Sequence, residues 1–218
     1  MVLFGSLKDN KVIYKFGGLY GLISILFGFM GDLISFLLYP GYNFTKSAVS
    51  TLCKGPGGLF FQLGTVFSGI FAIPFVFALS KSFKEDEVSE KLRKAILYVA
   101  VVSCIAFIGL GIFCGSNQVI SLIHGTFAVI SWISGIIYVT GFNILMHKDS
   151  QFSNYLAYFG YCVSFILGSM IFLFILHFFP ALRFIMIILP SLEWINTFSL
   201  IIWFIVISAY MIQKNKRF

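Results

Sequence analysis

Asp32, His124, His177 and Glu193 are ionisable side chains set inside, or at the ends of, long apolar runs. A carboxylate or imidazole held away from water can act as a general base, as the group that orients one, or as a metal ligand. Lys46, Lys54 and Arg183 are cations in short segments between apolar runs, and Asn117 and Asn196 are amides near the starts of two runs. Three chemistries fit these residue types. His124 can serve as a base with Asp32 as its orienter. Asp32, Lys46, Asn117, His124, His177, Arg183 and Glu193 together can line a polar binding pocket. Asp32 can instead pair with Lys46 or Arg183 and lock a loop.

Other chemistries lack their residues. No His-x-x-x-His pair is present, so no metal site is expected. Ser121 and His124 lie close in sequence but without a nucleophile elbow. Neither a phosphate-cradling P-loop nor a Gly-x-Gly-x-x-Gly fingerprint occurs, and no cofactor is expected. The later apolar runs contain no internal lysine to carry a retinal.

What must position these residues follows from composition. The chain has 218 residues, 59% hydrophobic and only 11% charged, against roughly 25% charged in a soluble domain. Several continuous apolar runs exceed the ~18 residues of a spanning helix, and their continuity excludes an alternating β-barrel pattern. The sequence therefore predicts an all-α polytopic membrane protein: a six-transmembrane-helix bundle forming a single integral domain. Its helices are expected at about 14–38, 59–80, 95–114, 119–146, 155–179 and 192–212. Pro180–Pro190 is apolar but too short to span, and reads as a re-entrant or interfacial piece.

Six crossings place both ends of the chain on one side. Twelve of the fifteen Lys and Arg residues fall there, among them Lys8, Lys11, Lys15, Lys148, Lys214, Lys216 and Arg217; Lys46, Lys54 and Arg183 fall on the other. By the positive-inside rule both termini are cytoplasmic, in a multi-pass protein of the cell membrane. The net charge of +7 is then an attraction to anionic lipid heads rather than to nucleic acid. Membrane lipids are the expected partners, with no nucleic acid. The Gly17-x-x-x-Gly21 spacing raises a homodimer as a further expectation.

This topology gathers the polar residues in the outer half. Asp32 stands eight residues before Pro40, about two turns below the outer end at ~1.5 Å per residue. Gly28, Gly31 and Ser35 share its face, and Ser121, Ala128, Ser131 and Gly135 share that of His124. Small polar stripes point into a bundle, because an ionisable group in lipid costs several kcal/mol. Each residue also has a structural reading: His124 bonded to Ser121 or Asn117, Glu193 at a helix N-terminus favoured by the dipole, His177 at an aromatic interface. Cys53 and Cys114 both fall at the outer side, where a disulfide can form, while Cys104 and Cys162 read as apolar fillers. The loop Tyr39–Gly58, with its Asn43-Phe44-Thr45 sequon, is expected to cap the pocket together with Pro180–Pro190.

Asp32 followed by Tyr39-Pro40-Gly41-Tyr42-Asn43, Ser47–Ser50 and Gly55–Gly58, then Gly111-Ile112-Phe113 and His124-Gly125, resembles the domain-of-unknown-function 998 family of prokaryotic, largely archaeal, integral membrane proteins. The chain carries Ser50-Thr51-Leu52 where the resemblance leads one to expect an acidic residue after the loop serine, so no acid role transfers to that place. A more distant likeness is to the DRAM/Frag/Sfk membrane family. The resemblance implies topology and no activity. The function expected from the residues is non-enzymatic binding of a lipid or small amphiphile in an outward-facing polar pocket. The alternatives are an integral membrane enzyme acting on lipid head groups from outside, and a small transporter or channel.

Overall fold

The computed structural model describes residues 10–215, and the described residues form helices and no strand. Lys8, Lys216 and Arg217, used above for orientation, lie outside them, and nothing is described of the Lys11 side chain. The six long helices are α1 (Asn10–Leu37), α2 (Gly58–Lys81), α3 (Glu90–Ile112), α4 (Gln118–Lys148), α5 (Asn154–Leu176) and α6 (Leu189–Asn215). All six are long and apolar enough to cross a membrane. Two short 3-10 segments, Val49–Lys54 and Pro180–Ile187, lie in the α1–α2 and α5–α6 connections.

Helix ends shift by a few residues from the apolar runs, because caps rather than hydropathy decide where a helix begins. Ser89, Asn117 and Ser153 each accept a backbone N–H with their side chain, starting α3, α4 and α5. Thus α3 begins at Glu90, one charged turn before its apolar stretch. Pro190 sits in the first turn of α6, where its missing N–H costs nothing, so α6 starts earlier than its apolar run suggests.

Each helix packs on its neighbours in sequence, and α1 packs on α6, which closes a ring. A close backbone crossing joins α1 to α2 at Gly31 and Gly64. A Cβ on Gly31 would lie 2.7 Å from the Phe60 carbonyl and 2.8 Å from the Gly64 Cα, so the two backbones touch where only glycine fits. Gly17 packs on Ala78 and Met211, and Gly21 on Phe75 and Ser208. Both face α2 and α6 of the same chain, so a homodimer would need another face.

The ring interior differs between its two ends. At the end that carries Asn10 and Asn215, here the terminal end, buried Phe75, Tyr138, Phe142 and Trp203 fill the centre. The Trp203 indole donates to the Asn143 side-chain amide oxygen Oδ1 at 3.3 Å. At the opposite or far end a second apolar cluster gathers Val49, Leu52, Phe61, Leu110, Ala128 and Trp194 under the α1–α2 connection. The two fillings do not meet, and a cavity of about 280 Å³ lies between them.

The terminal end also holds a polar network that was not expected, since the reading above gave that half nothing comparable to the far end. Asp149 is buried and accepts the backbone N–H groups of Lys84 and Gln151, each at 2.8 Å. Glu87 pairs with the Lys84 ammonium at 2.6 Å and accepts from the backbone and hydroxyl of Ser150. Tyr14 donates to the Ser82 carbonyl at 3.0 Å, and Lys214 reaches the Gln151 side chain at 3.1 Å over the Tyr14 ring. These residues sit in connections and at helix ends, so no stripe within a span revealed them.

Candidate functional site

The far-end cavity is built from one face each of the six helices. From α1 come Ser24, Gly28 and Asp32; from α4 come His124, Gly125, Ser131 and Gly135; from α6 come Glu193, Asn196 and Thr197. Apolar and aromatic residues of α2, α3 and α5, including Phe61, Phe107, Leu110 and Phe174, form most of the remaining wall. The shape follows from side-chain size. A Cβ added to Gly125 or Gly135 would meet nothing within 4 Å, so the small stripe of α4 leaves space that larger residues would fill.

One part of the roof is supplied by the α1–α2 connection, through Val49 and Ser50. That connection is fixed by polar bonds to backbone. Tyr42 donates to the carbonyls of Ser47 (2.9 Å) and Ala48 (2.6 Å), and the Trp194 indole donates to the Tyr42 oxygen at 3.1 Å. The Ser35 hydroxyl donates to the Gly57 carbonyl at 2.8 Å. Around these bonds Tyr42 packs edge on face with Phe36 and Phe44, as Phe44 does with Trp194, and Phe36 lies tilted on Phe44. Burial raises the Tyr42 phenol well above its ordinary value, the Trp194 hydrogen bond opposing it, so Tyr42 acts as a neutral donor. Gly41, at φ 73°, makes the turn that lets the chain fold back.

Asp32 forms no ion pair among the described residues. Lys46 and Arg183 are exposed and reach no carboxylate, so the pairing that would have made Asp32 a lock does not form. A lysine or arginine on a water-facing loop keeps its hydration at no cost, whereas entering the cavity would strip it. Glu193 does not serve as an N-terminal carboxylate either. With α6 starting at Leu189 it lies beyond the first turn, and it accepts the Ser50 N–H at 3.1 Å instead, tying α6 to the roof.

His124 donates from Nδ1 to the Leu110 carbonyl at 3.0 Å, rather than bonding Ser121 or Asn117. This leaves the Nε2 lone pair, buried and without a hydrogen-bond partner among the described residues. Asn117 is exposed and caps α4 by accepting the Val119 N–H. His177 bonds the Phe174 carbonyl beside Phe178, the aromatic interface expected for it. The segment Pro180–Ile187 buries only Ile185 and contributes nothing to the cavity wall, so the roof is one-sided.

Of the seven residues singled out from sequence, the structure thus brings Asp32, His124 and Glu193 to one cavity and leaves Lys46, Asn117, His177 and Arg183 outside it. Ser131 lines it as the His124 stripe implied, and Ser24, Ser50 and Thr197 line it unannounced. Ser24 stood in plain view, two turns before Asp32 on the Gly28 stripe; Ser50 lies in a connection, and no periodicity points to it.

A second, smaller cavity of about 190 Å³ lies outside the wall formed by His124. It is lined by Ser50, Thr51, Cys53, Lys54, Gly115, Ser121, His124 and Gly125. Cys53 and Cys114 are joined by a disulfide, and their sulfurs and a His124 ring nitrogen lie within 4.8 Å of one another. Among the described residues this is the grouping whose atoms are close enough to hold a metal ion. Cys104 is buried as a filler would be, but Cys162 is exposed on the outer surface of the bundle.

Residues 22–210 match the family model described as "Protein of unknown function (DUF998)". No curated protein and no solved structure matches the chain.

Proposed function

The chain belongs to the DUF998 family, proteins of unknown function, and from that premise we propose that it binds a lipid or small amphiphile in the far-end cavity without acting on it chemically. The observation that carries this reading is the pairing of a mostly apolar space of about 280 Å³ with Asp32, whose carboxyl has no cation partner among the described residues. A volume near the lower end of ligand pockets, roughly 300–1,000 Å³, suits a head group and the first part of its chain. The carboxyls of Asp32 and Glu193 favour a head that donates hydrogen bonds or carries positive charge, while the aromatic wall takes the chain.

Two other functions have less support. A head-group enzyme with Asp32 orienting His124 loses that orienter, because the Leu110 carbonyl holds Nδ1. A transporter or channel needs a polar path, and Phe75, Tyr138, Phe142 and Trp203 fill the terminal half of the ring.

We further infer that the far end faces outside the cell membrane. The excess of basic residues at the terminal end supports this, as does a disulfide at the far end, since disulfides persist on oxidising faces. With Cys104 and Cys162 replaced by serine, Thr45→Cys is expected to react with an impermeant reagent in sealed cells and Asp86→Cys is not. The reverse pattern would invert the orientation.

The binding test compares a long-chain primary amine with the fatty acid of equal chain length, read as thermal stabilisation of the purified protein in detergent. The amine is expected to raise the unfolding temperature more than the acid, and Asp32→Asn is expected to abolish the difference. Equal responses to both probes, or a response unchanged in Asp32→Asn, would refute the proposal.

A further inference from the structure

Cys53, Cys114 and His124 come from three different parts of the chain: the 3-10 segment of the α1–α2 connection, the α3–α4 turn and the first turns of α4. The Tyr42 and Ser35 bonds hold the first of these against the bundle, and the Leu110 carbonyl fixes the tautomer and tilt of the imidazole. A histidine whose Nδ1–H is bound to a backbone carbonyl presents Nε2 as a ligand atom, the arrangement that orients metal-bound imidazoles. Here that lone pair is buried and without a hydrogen-bond partner among the described residues, and a nitrogen of the same ring lies within 4.8 Å of both sulfurs.

We propose that Cys53, Cys114 and His124 form a thiophilic metal site, of the kind that takes Zn²⁺, which the disulfide closes and reduction opens. Two thiolates and one imidazole are a donor set for a borderline-soft d10 ion, with one position left for water. The smaller cavity supplies room for that water and a route from the surface past Lys54 and Ser121. The Cα atoms of the two cysteines are 5.9 Å apart. At Zn–S bonds of about 2.3 Å in tetrahedral geometry the sulfurs need only a separation near 3.8 Å, which side-chain rotation supplies without moving the helices.

The chemistry balances in two steps. A dithiol reductant gives two electrons and two protons to the Cys53–Cys114 bond and is itself oxidised to a disulfide, leaving two thiols. The ion then displaces both thiol protons to solvent as it forms two metal–sulfur bonds and one metal–nitrogen bond. The neighbouring Lys54 and the ion both favour the thiolates. Because Ser50, His124 and Gly125 line both cavities, the site lies in the wall between the ligand cavity and the surface. It does not depend on the ligand reading.

The test titrates Co²⁺, as a spectroscopic stand-in for Zn²⁺, into the full-length protein in detergent under argon, after reduction by a phosphine or without it. Reduced protein is expected to bind one cobalt per chain with a thiolate-to-cobalt charge-transfer band, displaced by Zn²⁺. Oxidised protein is expected to show no such band. Cys53→Ser and Cys114→Ser should each abolish the band, and His124→Asn should weaken binding at least tenfold, with elution and metal-free unfolding temperature recorded for every variant. The proposal is overturned if reduced wild-type protein gives no band, if oxidised protein gives the same band, if reduction unfolds the protein, or if folded His124→Asn binds as tightly as the wild type.

Discussion

At the terminal end Asp149 is buried against two backbone N–H groups and Glu87 is held by Lys84 and Ser150. At the far end Asp32 faces a mostly apolar cavity and has no ion pair among the described residues. Both ends therefore carry carboxylates near helix termini, bonded within a network at the terminal end and without an ion pair at Asp32. A buried polar group is stabilising when its partners are present and costly when they are not. The terminal end is a lock that joins the α2–α3 and α4–α5 connections. The far end sets a carboxyl without an ion pair, and the unpartnered Nε2 of His124, beside empty space, and such a pairing is the mark of a binding site rather than of a structural contact.

This contrast can be broken most severely at the terminal end. Asp149→Ala removes the acceptor of the Lys84 and Gln151 N–H groups. Hydrogen bonds to a charged group contribute roughly 1.5–3 kcal/mol each, so a loss of about 3 kcal/mol is expected in denaturant unfolding in detergent. An unchanged midpoint would show that the network is not a lock.

A smaller effect of opposite sign is expected in the cavity. Gly135→Ala adds a methyl that meets nothing within 4 Å and relieves a helical glycine, which stabilises by roughly 0.5–1 kcal/mol. Gly135→Leu should keep the fold and exclude the amphiphile, read as loss of ligand-induced stabilisation. A destabilised Gly135→Ala would mean that the space is not there.

Acid should act on the lock through Glu87. The hydrogen bond from Lys84, then those from the Ser150 backbone and hydroxyl, hold its carboxyl at about 2, below the usual 4.5. A carboxyl depressed in the folded state stabilises fully above its unfolded value and loses that contribution as pH falls through the folded one. The stability gap between wild type and Glu87→Gln is thus expected to be open at pH 6 and to close between about 4.5 and 2. A gap independent of pH would place the effect elsewhere.

The smallest stability change is expected at Asp32. Asp32→Asn preserves shape, breaks no ion pair among the described residues, and should leave the unfolding midpoint nearly unchanged while the amine response disappears. A fall as large as that of Asp149→Ala would make the far end a second lock.

The six helices were legible because a spanning segment must satisfy its own backbone and clothe it in apolar side chains, and both demands are local. The face of Asp32 was legible too: Gly28, Gly31 and Ser35 recur at helical spacing, and those positions do point inward, onto α2 and the roof. The partner of Asp32 was not. Lys46 and Arg183 share its end of the bundle by topology, but whether a flexible cation enters a cavity or stays in water turns on a desolvation cost that no spacing records. Asp149 was invisible for a related reason, since its partners are backbone groups of Lys84 and Gln151, which every sequence contains.

By itself the sequence determined that this chain carries six helices long and apolar enough to cross a membrane, which faces of α1 and α4 turn inward, and which end collects Asp32, His124 and Glu193. Those properties depend on composition and on periods of a few residues. Only the tertiary structure decided that the ring closes through α1 on α6, that Trp203 and Phe75 fill one half and leave the other open, and that Cys53, Cys114 and His124 converge in its wall. These depend on how side chains from distant segments share volume, because packing is settled by shape in three dimensions and leaves no period along the chain.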